Sequence, residues 1–442
     1  MFVLQPDFVW TNQGLKTDWC VAVDNGLIVG VSAAERYTQV DRRLKGCVLL
    51  PGLVDAHSHA FQRAFRGQTQ WRGEGDDTFW TWRSAMYAAA NRLSPEGVFA
   101  VSRLAFLELA LAGVTKVGEF HYLQHSPDGS RYADPDELAR RVIAAALDVG
   151  IRICLLRVSY GRHSPGKELQ ADQRRFGDSS PEEALLALER LGRLGDHRVS
   201  VGLAPHSVRA VPPEWMPILA QWKGVIHAHV SEQPAENAQC LAENGVTPLQ
   251  LLADRGLVSE RFTAVHLTFP SAGDVALIRG AGAAVAVCPS TEMDLGDGFL
   301  PLSLREARLC VGSDSHAGSD ILGEARMLEL HARALAGRRN VMSPRGEKHG
   351  LAERLLAAAS VEGDRALGGE GRGICEGAPA DMIAIDLSRP AATGVPPLEA
   401  AVFNASPEWI SDSWVGGVPV IQSGRHPRQE RIIMDAMGHF SR

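Results

Sequence analysis

The stretch Leu49-Leu50-Pro51-Gly52-Leu53-Val54-Asp55-Ala56-His57-Ser58-His59 decides how this chain is read. In a strand, side chains at i and i+2 share a face, so His57 and His59 can turn neighbouring imidazoles toward one ion. An apolar run that ends this way is a buried strand and half of a metal site. Two histidines on a wet strand end are the plain alternative. Further ligands, each ending its own strand, would decide between them.

Working outward, eight strand-like runs follow one another at 50–57, 114–120, 151–158, 198–204, 224–230, 262–267, 283–288 and 309–314. Most are continuously apolar, as parallel strands buried on both faces should be. Helices are expected between them. Ser94-Pro95-Glu96, Asp134-Pro135-Asp136-Glu137 and the capping box Ser180-Pro181-Glu182-Glu183 mark helix starts, and Gly113, Gly150 and Gly195 stand at helix ends. Eight strand–helix units in this length predict an α/β fold, a (β/α)8 TIM-like barrel over 51–374. An open doubly wound sheet is the weaker alternative, since no Gly-x-Gly-x-x-Gly follows an early strand. Residues 1–50 and 375–442 carry short β-rich runs and are expected to form one small domain together. The segment from Ala60 to Asn91, with Trp71, Trp80, Trp82 and Tyr87, is too long for an ordinary loop and is expected to form a wall or lid over the site.

The totals narrow the function classes. The chain has 442 residues, 45% of them hydrophobic, and a net charge of −7, which gives no basic field for nucleic acid or an anionic membrane surface. Seven scattered cysteines without a C-x-x-C pair argue against a disulfide framework and fit a reducing cytoplasm. The amino terminus reads as free of a secretory signal, and no apolar run approaches the ~20 residues needed to span a bilayer. A small-molecule partner is expected, with neither nucleic acid nor membrane.

Barrel chemistry sits where the strands end, so the polar residues that close each apolar run are the candidates. His57 and His59 end the first strand, His229 and Glu232 the fifth, His266 the sixth and Asp314 the eighth. Each alone has an ordinary explanation: a core histidine for His229, like its neighbour His227; a first-turn acid for Glu232; a helix cap for Asp314, although Ser319 or Asp320 is better placed for that. Together they put four histidines and two carboxylates on one rim.

That constellation resembles the amidohydrolase superfamily, with a metal-holding (β/α)8 barrel flanked by a small β-sandwich built from both chain ends. The resemblance implies that His57, His59, His229 and Asp314 hold the metal, and that Glu232, His266 and Asp314 carry the proton transfers. No lysine ends a middle strand to bridge two ions, so one divalent metal, zinc by family precedent, is implied. Within the superfamily the chain is similar to the N-formimino-L-glutamate deiminases through Val54 to Arg63, Gly118-Glu119-Phe120-His121-Tyr122, Ala204-Pro205-His206-Ser207-Val208-Arg209, Cys288-Pro289-Ser290-Thr291-Glu292 and Gly312-Ser313-Asp314-Ser315-His316. This implies a dicarboxylate substrate held by Gln62, Arg83, Tyr122, His206 and Arg209, and hydrolysis to N-formyl-L-glutamate and ammonia in histidine degradation by a homodimer. Arginine forks suit carboxylates. A related deaminase of a nucleoside or heterocyclic amine is the alternative; its pocket would be apolar and aromatic and would not need two arginines. A metal-free barrel relative kept as a binding protein would require lost ligands.

Overall fold

The computed structural model describes residues 1–440. Eight parallel strands run in sequence order around one sheet: β1 (Leu53–Ser58), β2 (Val114–His121), β3 (Arg152–Ser159), β4 (Val199–Pro205), β5 (Ile226–Val230), β6 (Phe262–His266), β7 (Ala284–Val287) and β8 (Arg308–Val311). Every expected strand is present. The sheet comes round on itself just beyond β8, where Ser58 and Asp314 form a parallel bridge. The Asp314 N–H donates to His57 O and the His59 N–H to Asp314 O, both at 2.9 Å. The expected metal ligands therefore sit in the seam of the barrel.

The opening stretch is not one strand. It breaks at Gly52: Arg42–Pro51 belongs to the other sheet and Leu53–Ser58 to the barrel. A Cβ on Gly52 would lie 2.1 Å from Thr115 Oγ1, so only glycine lets the chain cross there. The second sheet is mixed and eight-stranded, in the order Val418–Gln422, Ile410–Val415, Met382–Asp386, Arg42–Pro51, Phe2–Thr11, Trp19–Asp24 and Leu27–Ala33, with Gly14–Thr17 paired to Phe2–Thr11. Both chain ends thus build it. The helix Gln429–Phe440, in the segment expected to belong with that sheet, lies instead on the barrel helix Pro95–Leu111. Its Ile432 and Ala436 are buried, and its Asp435 pairs with Arg103 at 2.5 Å.

The helix signals hold in part. Ser94 accepts from the Gly97 N–H, and Gly150 ends its helix in the left-handed region at φ 99°. The Ser180 capping box does not form: Ser180 makes no cap bond, and Glu183 accepts from the Ser179 N–H instead. Asp320 caps the helix Ile321–Ala336, which leaves Asp314 free for the barrel rim. All seven cysteines are free. Among the described residues, no helix is long and apolar enough to cross a membrane.

Candidate active site

The ends of β1 and β5 and the turn after β8 bring His57, His59, His229 and Asp314 into one buried group. His229 Nε2 lies 3.2 Å from His57 Nε2 and 3.3 Å from His59 Nε2, and Asp314 Oδ1 lies 3.2 Å from both His57 Nε2 and His59 Nε2. The tautomers of His59 and His229 follow from their outer contacts. His59 Nδ1–H donates to Phe120 O at 2.9 Å and His229 Nδ1–H to His206 O at 3.1 Å, and carbonyls can only accept. In the neutral rings this leaves bare Nε2 lone pairs facing one another and a carboxylate oxygen. Such an arrangement repels unless a cation lies between. Donor-to-donor edges of about 3.3 Å are those of a tetrahedral site with bonds of about 2.0 Å, so the residues fit a zinc-sized divalent ion.

The electrostatics agree. Burial, aided by neighbouring imidazoles, keeps His57 neutral, its pKa lowered to about 3 against the pull of Asp314. His229 is driven well below the usual range by burial and then by the surrounding imidazoles. Asp314 and His266 have φ of 48° and 69°, a region that non-glycine residues rarely occupy, and such strain persists only where packing over-determines it.

Glu232 and His266 stand beside the metal group. His266 Nε2 is 3.7 Å from Glu232 Oε1 and 3.9 Å from Asp314 Oδ2, while its Nδ1–H faces Glu292 Oε1 at 3.3 Å. Burial works against the charged ring, but the carboxylates of Glu232, Asp314 and Glu292 outweigh it and raise the His266 pKa to about 10. Glu292 is itself fixed by the Cys288 N–H at 2.9 Å. His227, by contrast, is a core histidine bonded to Ala366 O.

The pocket over this group is walled by the segment after β1. That segment folds as a 3-10 turn, Ala60–Phe65, and a helix, α1 (Phe79–Ala90), which brings Phe79, Trp82, Arg83, Met86 and Tyr87 to the cavity. Arg175, fully buried, donates from its guanidinium to the carbonyls of Ala90 and Leu93, and Asn91 Nδ2 donates to Asp172 O at 2.8 Å, so the C-terminal end of α1 is tied to the loop after β3. Trp71 and Trp80 of the same segment are exposed.

Gln62, Arg83, Tyr122, His206 and Arg209 all line this cavity. Gln62 Nε2 donates to Tyr122 OH at 3.0 Å. Arg83 is stacked on the rings of Trp80 and Tyr87 and has no carboxylate partner among the described residues. Arg209 donates to Glu232 Oε2 at 3.1 Å and lies 3.5 Å from Glu236, a fully buried carboxylate without a hydrogen bond. The pKa of Glu236 rises to about 7 through burial, opposed by Arg209.

Sequence reasoning missed Glu236, Glu292, Met86 and Tyr160 at this site. Glu236 follows Glu232 at helical spacing and was within reach of a pattern argument; the others come together only in three dimensions.

The comparisons with known proteins agree with this geometry. The Amidohydrolase family matches residues 48–420. Formimidoylglutamate deiminase of Pseudomonas aeruginosa is 38% identical over 400 residues, 88% of each chain. The 5-methylthioadenosine/S-adenosylhomocysteine deaminase of Halobacterium salinarum is 28% identical over 407 residues, 89% of this chain and 84% of that one. A solved amidohydrolase from Brucella melitensis superposes with a TM-score of 0.93 at 31% identity, covering 100% of this chain and 99% of that one. The chain belongs to the amidohydrolase family, as a metal-dependent hydrolase acting on carbon–nitrogen bonds.

Proposed function

We propose that the protein hydrolyses N-formimino-L-glutamate to N-formyl-L-glutamate and ammonia. The observation that carries this reading is the guanidinium of Arg83, which has no carboxylate partner yet faces the same cavity as the three-histidine group. An unpaired guanidinium in a substrate pocket calls for an anion. The 38% identity to a formimidoylglutamate deiminase supports the same substrate.

His57, His59, His229 and Asp314 would hold one divalent ion, for which zinc suits the donor set. When bound, the ion supplies a water acidified to a pKa of about 7. In this reading the protonated His266 would orient the attacking water, Asp314 would accept its proton, and Glu232, once it has received that proton, would deliver it to the nitrogen that leaves as ammonia. Arg83 and Arg209 neutralise the two substrate carboxylates, with Gln62, Tyr122 and His206 adding neutral contacts. By the same family likeness the enzyme acts as a homodimer in the cytoplasm, on a step of histidine degradation.

A second reading, deamination of a nucleoside or heterocyclic amine, is favoured by the aromatic rings of Phe79, Trp82, Tyr87, Tyr122 and Tyr160 around the cavity. The two are separated by measuring ammonia release from N-formimino-L-glutamate, adenosine and S-adenosylhomocysteine on one preparation of known metal content. Release from formiminoglutamate alone is expected. Release from a nucleoside alone overturns the proposal.

A further inference from the structure

One wall of the cavity carries a hydrogen-bond donor with nothing to receive it. Gln173, fully buried in the loop after β3, accepts through Oε1 from the Gln170 N–H at 3.2 Å and from His163 Nδ1–H at 2.7 Å. A backbone N–H can only donate, so this contact fixes which way the amide points. The amide nitrogen then donates to two hydroxyls, Tyr160 OH at 2.8 Å and Tyr87 OH at 3.1 Å. Those oxygens lie 3.3 Å apart, close enough for one hydroxyl to donate to the other. The second hydroxyl proton finds no acceptor among the described residues.

Both tyrosines are buried from the outer surface of the protein. Burial also pushes the Tyr160 hydroxyl well above its ordinary pKa, which keeps it protonated. Both residues line the cavity together with Arg83, whose guanidinium sits 5.3 Å above the Tyr87 ring. One charged donor and one neutral donor thus share a cavity wall, each short of an acceptor.

We infer that the Tyr87–Tyr160 pair, oriented by Gln173, is a specificity element that donates its spare O–H to a substrate carboxylate beside Arg83. The inference rests on the formiminoglutamate reading and assigns residues to its recognition. Tyr87 and Tyr160 would touch the substrate; Gln173 is a positioning residue that acts through them.

The donor count makes a distinctive prediction. Either tyrosine can supply the single spare proton, so Tyr87→Phe and Tyr160→Phe should each cost less than the double substitution. In the double variant the KM for N-formimino-L-glutamate should rise about 10-fold or more, as expected for losing a hydrogen bond to a charged group, with kcat within about threefold. Gln173→Glu keeps both rings but offers an acceptor to both hydroxyls, and should raise KM in the same way. Of the two monocarboxylate analogues that lack one or the other substrate carboxylate, one should be turned over equally well by wild type and double variant. A double variant with wild-type KM, or one impaired equally on all three substrates, overturns the inference. If wild type does not turn over formiminoglutamate at all, the functional reading fails by itself. Titration calorimetry with glutarate then tests the pair alone: about 10-fold weaker binding to the double variant supports it, and equal affinity overturns it.

Discussion

Gly312 offers a direct test of the seam that holds the ligands. It follows β8, and a Cβ placed on it would lie 2.5 Å from His57 O, 2.8 Å from His57 N and 2.9 Å from His57 Cβ. Ordinary contact begins at 3.4 Å, so Gly312→Ala forces a separation of about 0.9 Å. The obstructing atoms are mostly backbone of β1, which cannot swing aside as a long side chain would. The strand itself must move, and with it His57 and His59 relative to Asp314, whose carboxylate now stands 3.2 Å from both rings. Overpacking of this kind costs about 1–3 kcal/mol of stability, and misplacing reacting groups by about 1 Å costs about 100-fold in rate. The expected result is a folded protein with a lower melting temperature, metal content well below one per chain, and ammonia release reduced by about two orders of magnitude. Gly280→Ala is the control. It lies in the helix Ala272–Ala281 with nothing within 4 Å of the added Cβ, and should be neutral or stabilise by up to about 1 kcal/mol. A Gly312→Ala protein with wild-type metal content and wild-type rate would refute the claim that close approach at this seam sets the ligand geometry.

Glu232→Gln should reduce ammonia release by about 10²- to 10⁴-fold while inductively coupled plasma analysis finds the metal unchanged. Arg83→Met should raise the KM for formiminoglutamate by about 10-fold or more, with a much smaller change in kcat, in steady-state assays. Glu292→Ala should lower kcat by freeing the His266 ring to turn, and Glu292→Gln, which keeps an acceptor opposite Nδ1, should recover part of the loss. Dialysis against dipicolinate should abolish activity, and added Zn²⁺ should restore it.

Much of this architecture was open to reading because it depends on local pattern. Continuous apolar runs such as Ala283 to Cys288 announce strands buried on both faces, and all eight lie where the pattern put them. The candidate ligand group was readable for the same reason: a barrel rim collects whatever ends its strands. What escaped depends on contacts between distant segments. The break at Gly52 was signalled by the turn dipeptide Pro51-Gly52 inside the apolar run, while the need for glycine there comes from Thr115, more than sixty residues away. Glu292 gained its place opposite His266, and Tyr160 its place opposite Tyr87, only through the closure of the barrel and the folding of α1 against the loop after β3.

That folding has a consequence for how such a protein can change. The candidate metal group belongs to the barrel rim, whereas Arg83, Met86 and Tyr87 ride on a helix whose far end is pinned by Arg175 and Asn91. Hydrolysis is therefore written on the barrel rim, whereas the cavity wall that meets the substrate is shared between the rim, through Tyr122, Tyr160, His206 and Arg209, and this helix. Exchanging Ala60 to Asn91 for the corresponding segment of another family member, with the two anchor contacts kept, would change the part of the cavity wall built by Arg83, Met86 and Tyr87 without touching His57, His59, His229 or Asp314.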